Sequence, residues 1–373
     1  MNLAGIIFSD EYNVIHNGLL NERTLAAVPY GARYRLIDFP LSCMVNAGVI
    51  NVGIIVKKNY HSLMRHIGSG APWDLDRKNG GVQILPPFAT RDNNDTVYQN
   101  MLEGLIANRT FIRDLTQDYI LITSVGKVGM VNYAKMFEAH IKSGARISLF
   151  CSDDPIISGA SYKRPYIDCD GSGVVRAIRY ADERPEGMSY WLNTFIISRK
   201  DLIDIINEAT EEKKTSMRRD FFDPMIRRGE MYAFKCEETV SIISTVEDYL
   251  VSNLALLDQK VRDSIFKSPN GPVATKIKDS PPTKYGCDAT VSNSLISSGA
   301  DIEGTVKNSV IFRGVHIARD TEVDHCVIMQ NSIISEGSSL NYAVLDKNVS
   351  VRSGCRLSGY ITHPFIAERN ERI

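Results

Sequence analysis

The C-terminal part of the chain repeats itself. Three consecutive segments, VIFRGVHIARDTEVDHC, VIMQNSIISEGSSLNYA and VLDKNVSVRSGCRLSGY, align without gaps at a step of seventeen residues. Within each, aliphatic residues recur every six positions: Ile311, Ile317 and Val323, then Ile328, Ile334 and Leu340, then Leu345, Val351 and Leu357. A shorter preceding turn supplies Ile296 and Ile302. Three inward aliphatics per turn at hexapeptide spacing describe a triangular, left-handed parallel β-helix, because a unit that cannot bury its apolar face alone must stack on its neighbours. Such a coil leaves open parallel edges and flat faces, so packing on another domain or subunit is expected.

The first half follows a different pattern. Short β-branched runs alternate with helical spacing, as in an α/β domain. Strands are predicted at Leu3–Phe8, Val52–Val56, Val82–Leu85, Tyr119–Thr123 and Arg146–Cys151, with helices at Tyr60–Ile67, Thr96–Asn108 and Tyr133–Ser143. A second group of strands, Pro165–Cys169, Gly173–Tyr180, Tyr190–Ile197 and Met231–Lys235, comes with helices at Lys200–Thr210, Met217–Arg228 and Val246–Lys260. The segment FKSPNGPVATKIKDSPPTKYG holds four prolines and two glycines... and reads as a linker or an extended crossing segment. The expected organisation is a Rossmann-like α/β domain over residues 1–262, a linker over 263–285 and the β-helix over 286–373.

Bulk properties exclude several classes. A chain of 373 residues exceeds one ordinary core, in keeping with two domains. The net charge of −1 offers no basic excess for nucleic-acid phosphates. No apolar run approaches the roughly 20 residues that span a bilayer. The N-terminus lacks the basic and apolar regions of a signal peptide. Seven scattered cysteines include no C-x-x-C pair, and His61 and His66 miss the i, i+4 spacing of a helical metal site. A cytoplasmic location without a disulfide framework is expected.

The strand Leu3–Phe8 should lead into a glycine-rich phosphate loop, but it runs into FSDEYNVI, with no glycine between Gly5 and Gly18. The following AVPYGARYRLIDFPLSCMVNAGVINVGIIV resembles the signature P-A-V-x-F-G-G-x-Y-R-I-I-D-F-x-L-S-N-x-x-N-S-G of bacterial glucose-1-phosphate adenylyltransferases. HSLMRHIGSG, TVEDYLVSNLALLD and the β-helix fit that family in the same order, so the resemblance covers nearly the whole chain. It implies a nucleotidyltransferase domain of GT-A-like fold ahead of the β-helix. It also implies the family's chemistry, in which ATP and glucose 1-phosphate give ADP-glucose and pyrophosphate for glycogen or starch synthesis.

Compared with that family, the chemical parts are missing one after another. The loop G-G-x-G-T-R-L is replaced by FSDEYNVI. In the string matching R-A-K-P-A-V, Arg23 is kept and the phosphate-binding lysine is Leu25. The first metal-binding aspartate aligns with Gly126, with Lys127 beside it, and the second aligns with Ile242. Two absent carboxylates leave no hard anionic ligands for Mg²⁺. The base-reading G-T-A-D-A motif gives way to DNNDTVYQN, and the sugar-phosphate lysine is Arg184, which keeps charge with different geometry. No catalytic residues, metal site or cofactor of its own are therefore expected, with Mg²⁺ bound only in a catalytic partner. Arg23 and Arg184 remain as vestigial substrate-type positions.

Within the family the chain resembles the non-catalytic GlgD-type glycogen-biosynthesis subunits. That implies a regulatory partner role, in a heterotetramer with a catalytic glucose-1-phosphate adenylyltransferase subunit, and leaves homo-oligomers open. Arg33 and Arg35 fall where the family contacts anionic effectors, and Arg356 falls at another basic position of that cleft. Plain alternatives are that Arg35 braces Asp38 and that Arg356 is solvated. Trp191 and Asn193 sit at the sugar-pocket position, with core packing the simpler role for Trp191. Asp153 and Asp154 suit a turn cap. MRRDFFDPMIRRG reads as a solvated helix face. His316 and His325 read as surface residues of the β-helix. Two other functions stand beside the regulatory one: weak adenylyl transfer through Asp10 or Glu11, and a binding scaffold outside glycogen metabolism.

Overall fold

The structure is a computed structural model that describes residues 1–10, 18–87 and 98–373. The N-terminal part is built on one sheet, nine-stranded among the described residues. Its centre is the wholly buried strand Leu3–Phe8, which pairs in parallel with Asn51–Ile55 and Tyr119–Ser124. Strands covered on both faces read as continuous apolar runs, as LAGIIF and YILITS do. Beyond Tyr119–Ser124 the direction reverses, because Ser189–Ser198 pairs with it antiparallel. Ser189–Ser198 also pairs with Ile147–Ser152 and Arg164–Cys169, so a parallel half and a mixed half meet along one line.

The predicted strands appear with shifts of one or two residues, as for Val175–Ala181 and Ile147–Ser152. Three helical expectations change. Met217–Arg228 is a short π-helix, Arg218–Phe222, running into Asp223–Arg227, where Pro224 suits the first turn. Val246–Lys260 divides into Val246–Ala255 and Gln259–Phe266, because Asp258 caps a new helix by accepting from the Lys260 and Val261 N–H groups. The helix expected over Thr96–Asn108 is seen as Met101–Ala107, and its predicted start lies outside the described residues. The helix Asp38–Asn46 was not expected at all.

The C-terminal part has three five-stranded parallel sheets, stacked coil upon coil. Ile317, Ile328, Ile334 and Leu345 are fully buried, as their spacing requires. Left-handed corners carry Asn293, Asn308, Asn331 and Asn348 at positive φ, a conformation asparagine tolerates better than most side chains. The sheet holding Val310–Ile311, Val327–Ile328 and Ala343–Leu345 faces the N-terminal part, where Val310, Phe312, Val327, Met329 and Val344 join its core.

The helix Gln259–Phe266 crosses position 263, and Lys284–Tyr285 already pairs with Asp301–Ile302. The segment between them is strapped to the unexpected helix. Ser42 Oγ accepts from the Ala274 N–H at 2.9 Å, Asn46 donates to the Pro272 carbonyl at 3.1 Å, and Thr275 donates to Asp38 at 2.6 Å. No helix among the described residues is long and apolar enough to cross a membrane.

Candidate functional site

A cavity of about 390 Å³ opens where Leu3–Phe8 and Tyr119–Ser124 end, at the line where parallel meets antiparallel. Open α/β sheets place ligands at such ends. Its wall includes Phe8, Asp10, Ser124, Arg164, Tyr190, Trp191, Asn193, Arg218 and Ile242.

The two aligned metal positions come together here although they are far apart in sequence. Lys127–Val128 pairs antiparallel with Ser241–Ile242, with Ile242 opposite Lys127. The Ile243 N–H donates to the Gly126 carbonyl at 2.8 Å. The buried Lys127 ammonium donates to Thr123 Oγ1 and, at 3.1 Å, to the Ser124 carbonyl. A glycine, an isoleucine and an ammonium do not fit Mg²⁺, which needs carboxylate or other hard oxygen ligands. Among the described residues no group of three or more His, Cys, Asp or Glu side chains could hold a metal ion.

On the phosphate side, Asp10 Oδ1 accepts from the Leu25 N–H at 2.8 Å, and Oδ2 accepts from the Ser9 hydroxyl at 3.0 Å. Burial raises the Asp10 pKa, opposed by these donors and by Lys57 and Lys58. Leu25 itself is core, 2% exposed. Glu11 lies outside the described residues, as does most of FSDEYNVI and the start of DNNDTVYQN.

Arg23 does not line the cavity. Its guanidinium forms a buried pair with Asp346 of the β-helix at 2.6 and 2.8 Å, with side chains 3% and 1% exposed. The substrate-facing expectation for Arg23 gives way to an interdomain one. Arg184 is likewise turned aside: it donates to the carbonyls of Asp153 and Met188 and lies over the Tyr190 ring. Asp153 pairs with Lys235 at 3.0 Å and accepts from the Ser189 hydroxyl, so it is a bridging group instead of a simple turn cap. Trp191 is 6% exposed and packs in the core while also lining the cavity.

Arg164, missed in the sequence, forms a second buried pair. Its Nη2 donates to both oxygens of Asp248 at 2.9 and 3.0 Å. Asp248 also completes a capping box with Thr245 and accepts from Ser158 and Ser244. The run RPYIDC hides this role, because an arginine opening a strand looks like a surface residue.

The junction between the domains gathers cations. Arg35 donates to the Ser62 carbonyl at 2.8 Å, while its backbone N–H, not its guanidinium, braces Asp38. Burial lowers Arg35 to about 10. Lys347 is pushed down to about 6 by burial, with Arg35 and Arg23 adding to the effect. Lys278 is lowered by burial, then by Arg35, Arg313, Lys276 and Arg65. Arg33 is exposed beside Tyr34 and close enough to lower Arg313, on which burial acts first. Arg356 is exposed on Arg356–Ser358, in a different sheet from the one packed on the N-terminal part, so it is not brought together with Arg33 and Arg35. Lys278 and Lys347 carried no sequence signal, since lysines in loops read as solvated.

This architecture, with a ligand cavity at the sheet ends and a β-helix docked on the same domain, is that of a nucleotidyltransferase with a hexapeptide domain. Residues 19–239 match the nucleotidyl transferase family, and residues 280–359 match the GlmU-like C-terminal hexapeptide family. Glucose-1-phosphate adenylyltransferase of Thermotoga maritima is 33% identical over 315 residues, 82% of this chain and 73% of that protein. The enzyme of the same name from Clostridium acetobutylicum is 28% identical over 310 residues, 82% of this chain and 80% of that protein. Glycogen biosynthesis protein GlgD of Bacillus subtilis is 28% identical over 378 residues, 98% of this chain and 96% of that protein. The chain belongs to the glucose-1-phosphate adenylyltransferase family.

Proposed function

We propose that this chain is a non-catalytic, regulatory subunit of ADP-glucose synthesis in glycogen formation, working in assembly with a catalytic glucose-1-phosphate adenylyltransferase. The observation that carries this reading is the meeting of Gly126 and Ile242 across one two-stranded ribbon, with the Lys127 ammonium beside them. Attack on a triphosphate needs its developing charge neutralised. Here the two metal positions offer no carboxylate, and the Leu25 N–H is already taken by Asp10. The near full-length match to glycogen biosynthesis protein GlgD agrees with a role in glycogen formation. The same Asp10 bond disfavours adenylyl transfer through Asp10, whose carboxylate is occupied.

The regulatory half of the reading rests on the junction. Arg35, Arg65, Lys276, Lys278, Arg313 and Lys347 gather there, and four of them, Arg35, Lys278, Arg313 and Lys347, are held below their ordinary pKa by burial and like charge. A bound phosphate-type metabolite relieves that repulsion, so an anionic effector is the expected ligand.

The test is an assay of ADP-glucose formation by this chain alone, by a catalytic family member alone, and by the co-purified pair. The expected result is no magnesium-dependent turnover alone, a stable complex, and higher activity in the pair. Turnover by the isolated chain, or failure to co-purify, overturns the proposal.

A further inference from the structure

The β-helix strand Ala343–Leu345 is followed by Asp346 and Lys347, at the junction with the first domain. Asp346 is fully committed. Its two oxygens accept from Arg23 at 2.6 and 2.8 Å, and Oδ1 also accepts from the Lys347 backbone N–H at 2.6 Å. The Lys347 carbonyl accepts from the Asn370 N–H at 3.0 Å, so the backbone of this residue is fixed within the coil. Its partly buried side chain is not. Among the described residues the Lys347 Nζ has no hydrogen-bond or ion-pair partner. The charged groups around it are Arg35, Arg23 and Lys278, against Asp346 alone. Of the Arg35 guanidinium only Nη1 is committed, to Ser62, and the Lys278 Nζ has no partner among the described residues.

Such a place disfavours one more cation and suits an anion. An ammonium there is partly buried among three like charges without an acceptor, so Lys347 is pushed down to about 6 and stands as a neutral amine near pH 7. A neutral lysine amine is a nucleophile. Carbon dioxide is a fitting electrophile, because it is small, carries no charge to desolvate, and turns the amine into the anion that the surroundings lack. The nitrogen lone pair forms an N–C bond, one C=O π pair moves onto oxygen, and a proton passes from nitrogen to water. No oxidant or reductant is needed, and return of the proton reverses the step.

We propose that Lys347 is a carbon dioxide site, reversibly carbamylated on Nζ, with the carbamate held by Arg35 and Lys278. A guanidinium fork matches a planar, two-oxygen anion. The modified side chain then ties the β-helix to the first domain where the ammonium repels it. The inference goes beyond the regulatory reading and holds whether or not the chain assembles with a catalytic subunit.

The full chain in ¹³C-bicarbonate near neutral pH, observed by ¹³C nuclear magnetic resonance, tests it, followed by trapping with triethyloxonium ion and peptide mass spectrometry. A protein-bound carbamate resonance is expected, with the trapped ethoxycarbonyl group on Lys347. Trapping uses the parent chain, so it does not depend on a variant folding. Lys347→Arg should lose the resonance, since a guanidinium does not carbamylate. Arg35→Gln keeps the amine and should lower the occupancy about tenfold, the usual effect of one hydrogen bond to a charged group, with circular dichroism checking that it stays folded. Four outcomes overturn the inference: no carbamate resonance in the parent chain, a trapped group on other lysines but not on Lys347, a resonance that survives in Lys347→Arg, or an occupancy unchanged in folded Arg35→Gln.

Discussion

Asp346→Asn should be among the most damaging single substitutions in the molecule that touch no apolar packing. The carboxylate lies 1% exposed and accepts from Arg23, which is 3% exposed, on both of its oxygens at 2.6 and 2.8 Å. It also accepts from the Lys347 N–H at 2.6 Å and is the one acidic group among the named neighbours of Lys347. Asparagine keeps the shape and an acceptor oxygen but leaves the guanidinium without a counter-charge. Breaking a buried pair from one side costs about 3–5 kcal/mol, and the surviving amide bond places this case near 3. The assay is urea unfolding read by tryptophan fluorescence, since Trp73 and Trp191 both lie in the N-terminal part, together with far-ultraviolet circular dichroism for the β-helix. Two probes are needed because a two-domain chain need not unfold in one step. Arg23→Met combined with Asp346→Leu removes both charges and should recover most of the loss. If Asp346→Asn stays within about 1 kcal/mol of the parent, or the double variant is as weak as the single one, the pair is not what ties the domains together.

Three further outcomes follow from the same structure. Lys347 has its folded pKa lowered to about 6, so between there and its unfolded value near 10.4 only the unfolded chain holds the extra proton, and stability rises with pH. Lys347→Met should therefore be more stable by up to about 4 kcal/mol near pH 7, with the gain vanishing by about pH 10.5; thermal melts showing a pH-independent gain would refute this. Adding back both carboxylates as Gly126→Asp with Ile242→Asp should not create a tight Mn²⁺ site by electron paramagnetic resonance, because the Lys127 ammonium pairs with them first; adding Lys127→Ala should create one. Gly173 has φ +89°, and a Cβ there would come within 2.4 Å of the Tyr232 ring, so Gly173→Ala should lose about 2–3 kcal/mol in urea unfolding.

The β-helix was legible because its code is local: one aliphatic in six, repeated, decides which side chains point inward. The strands of the first domain were legible for a similar reason, since a doubly covered strand is an unbroken apolar run. The helix Asp38–Asn46 was not, because Asp38 through Met44 are all buried and no polar face marks a helical period. The site was legible position by position but not as a place. Alignment supplies Gly126 and Ile242 separately, and only the ribbon shows that they adjoin. The pairs Arg23–Asp346 and Arg164–Asp248 join residues far apart in sequence, which no local pattern reveals. Lys127 did carry a signal: a lysine inside SVGKVGMV, within an otherwise apolar run, has to find buried acceptors.

The presence of RLIDFPLS in a chain whose sequence carries FSDEYNVI in place of a glycine-rich loop has a physical basis in Asp38. One carboxylate oxygen takes His66 at 2.6 Å, and the other accepts from the Arg35 N–H at 2.9 Å and from Thr275 at 2.6 Å. His66 is lowered by burial, although Asp38 pulls the other way. Three segments converge on this one side chain: the strand that carries Arg35, the helix His61–Ile67, and the segment leading to the β-helix. Ser42, one turn along from Asp38, holds the same segment through Ala274. These contacts set where the β-helix begins relative to the first domain, and the junction cations Arg35, Lys276 and Lys278 lie on or beside the same segments. None of them needs a nucleotide. The motif can therefore be held by the geometry of the junction alone, independently of any chemistry at the cavity.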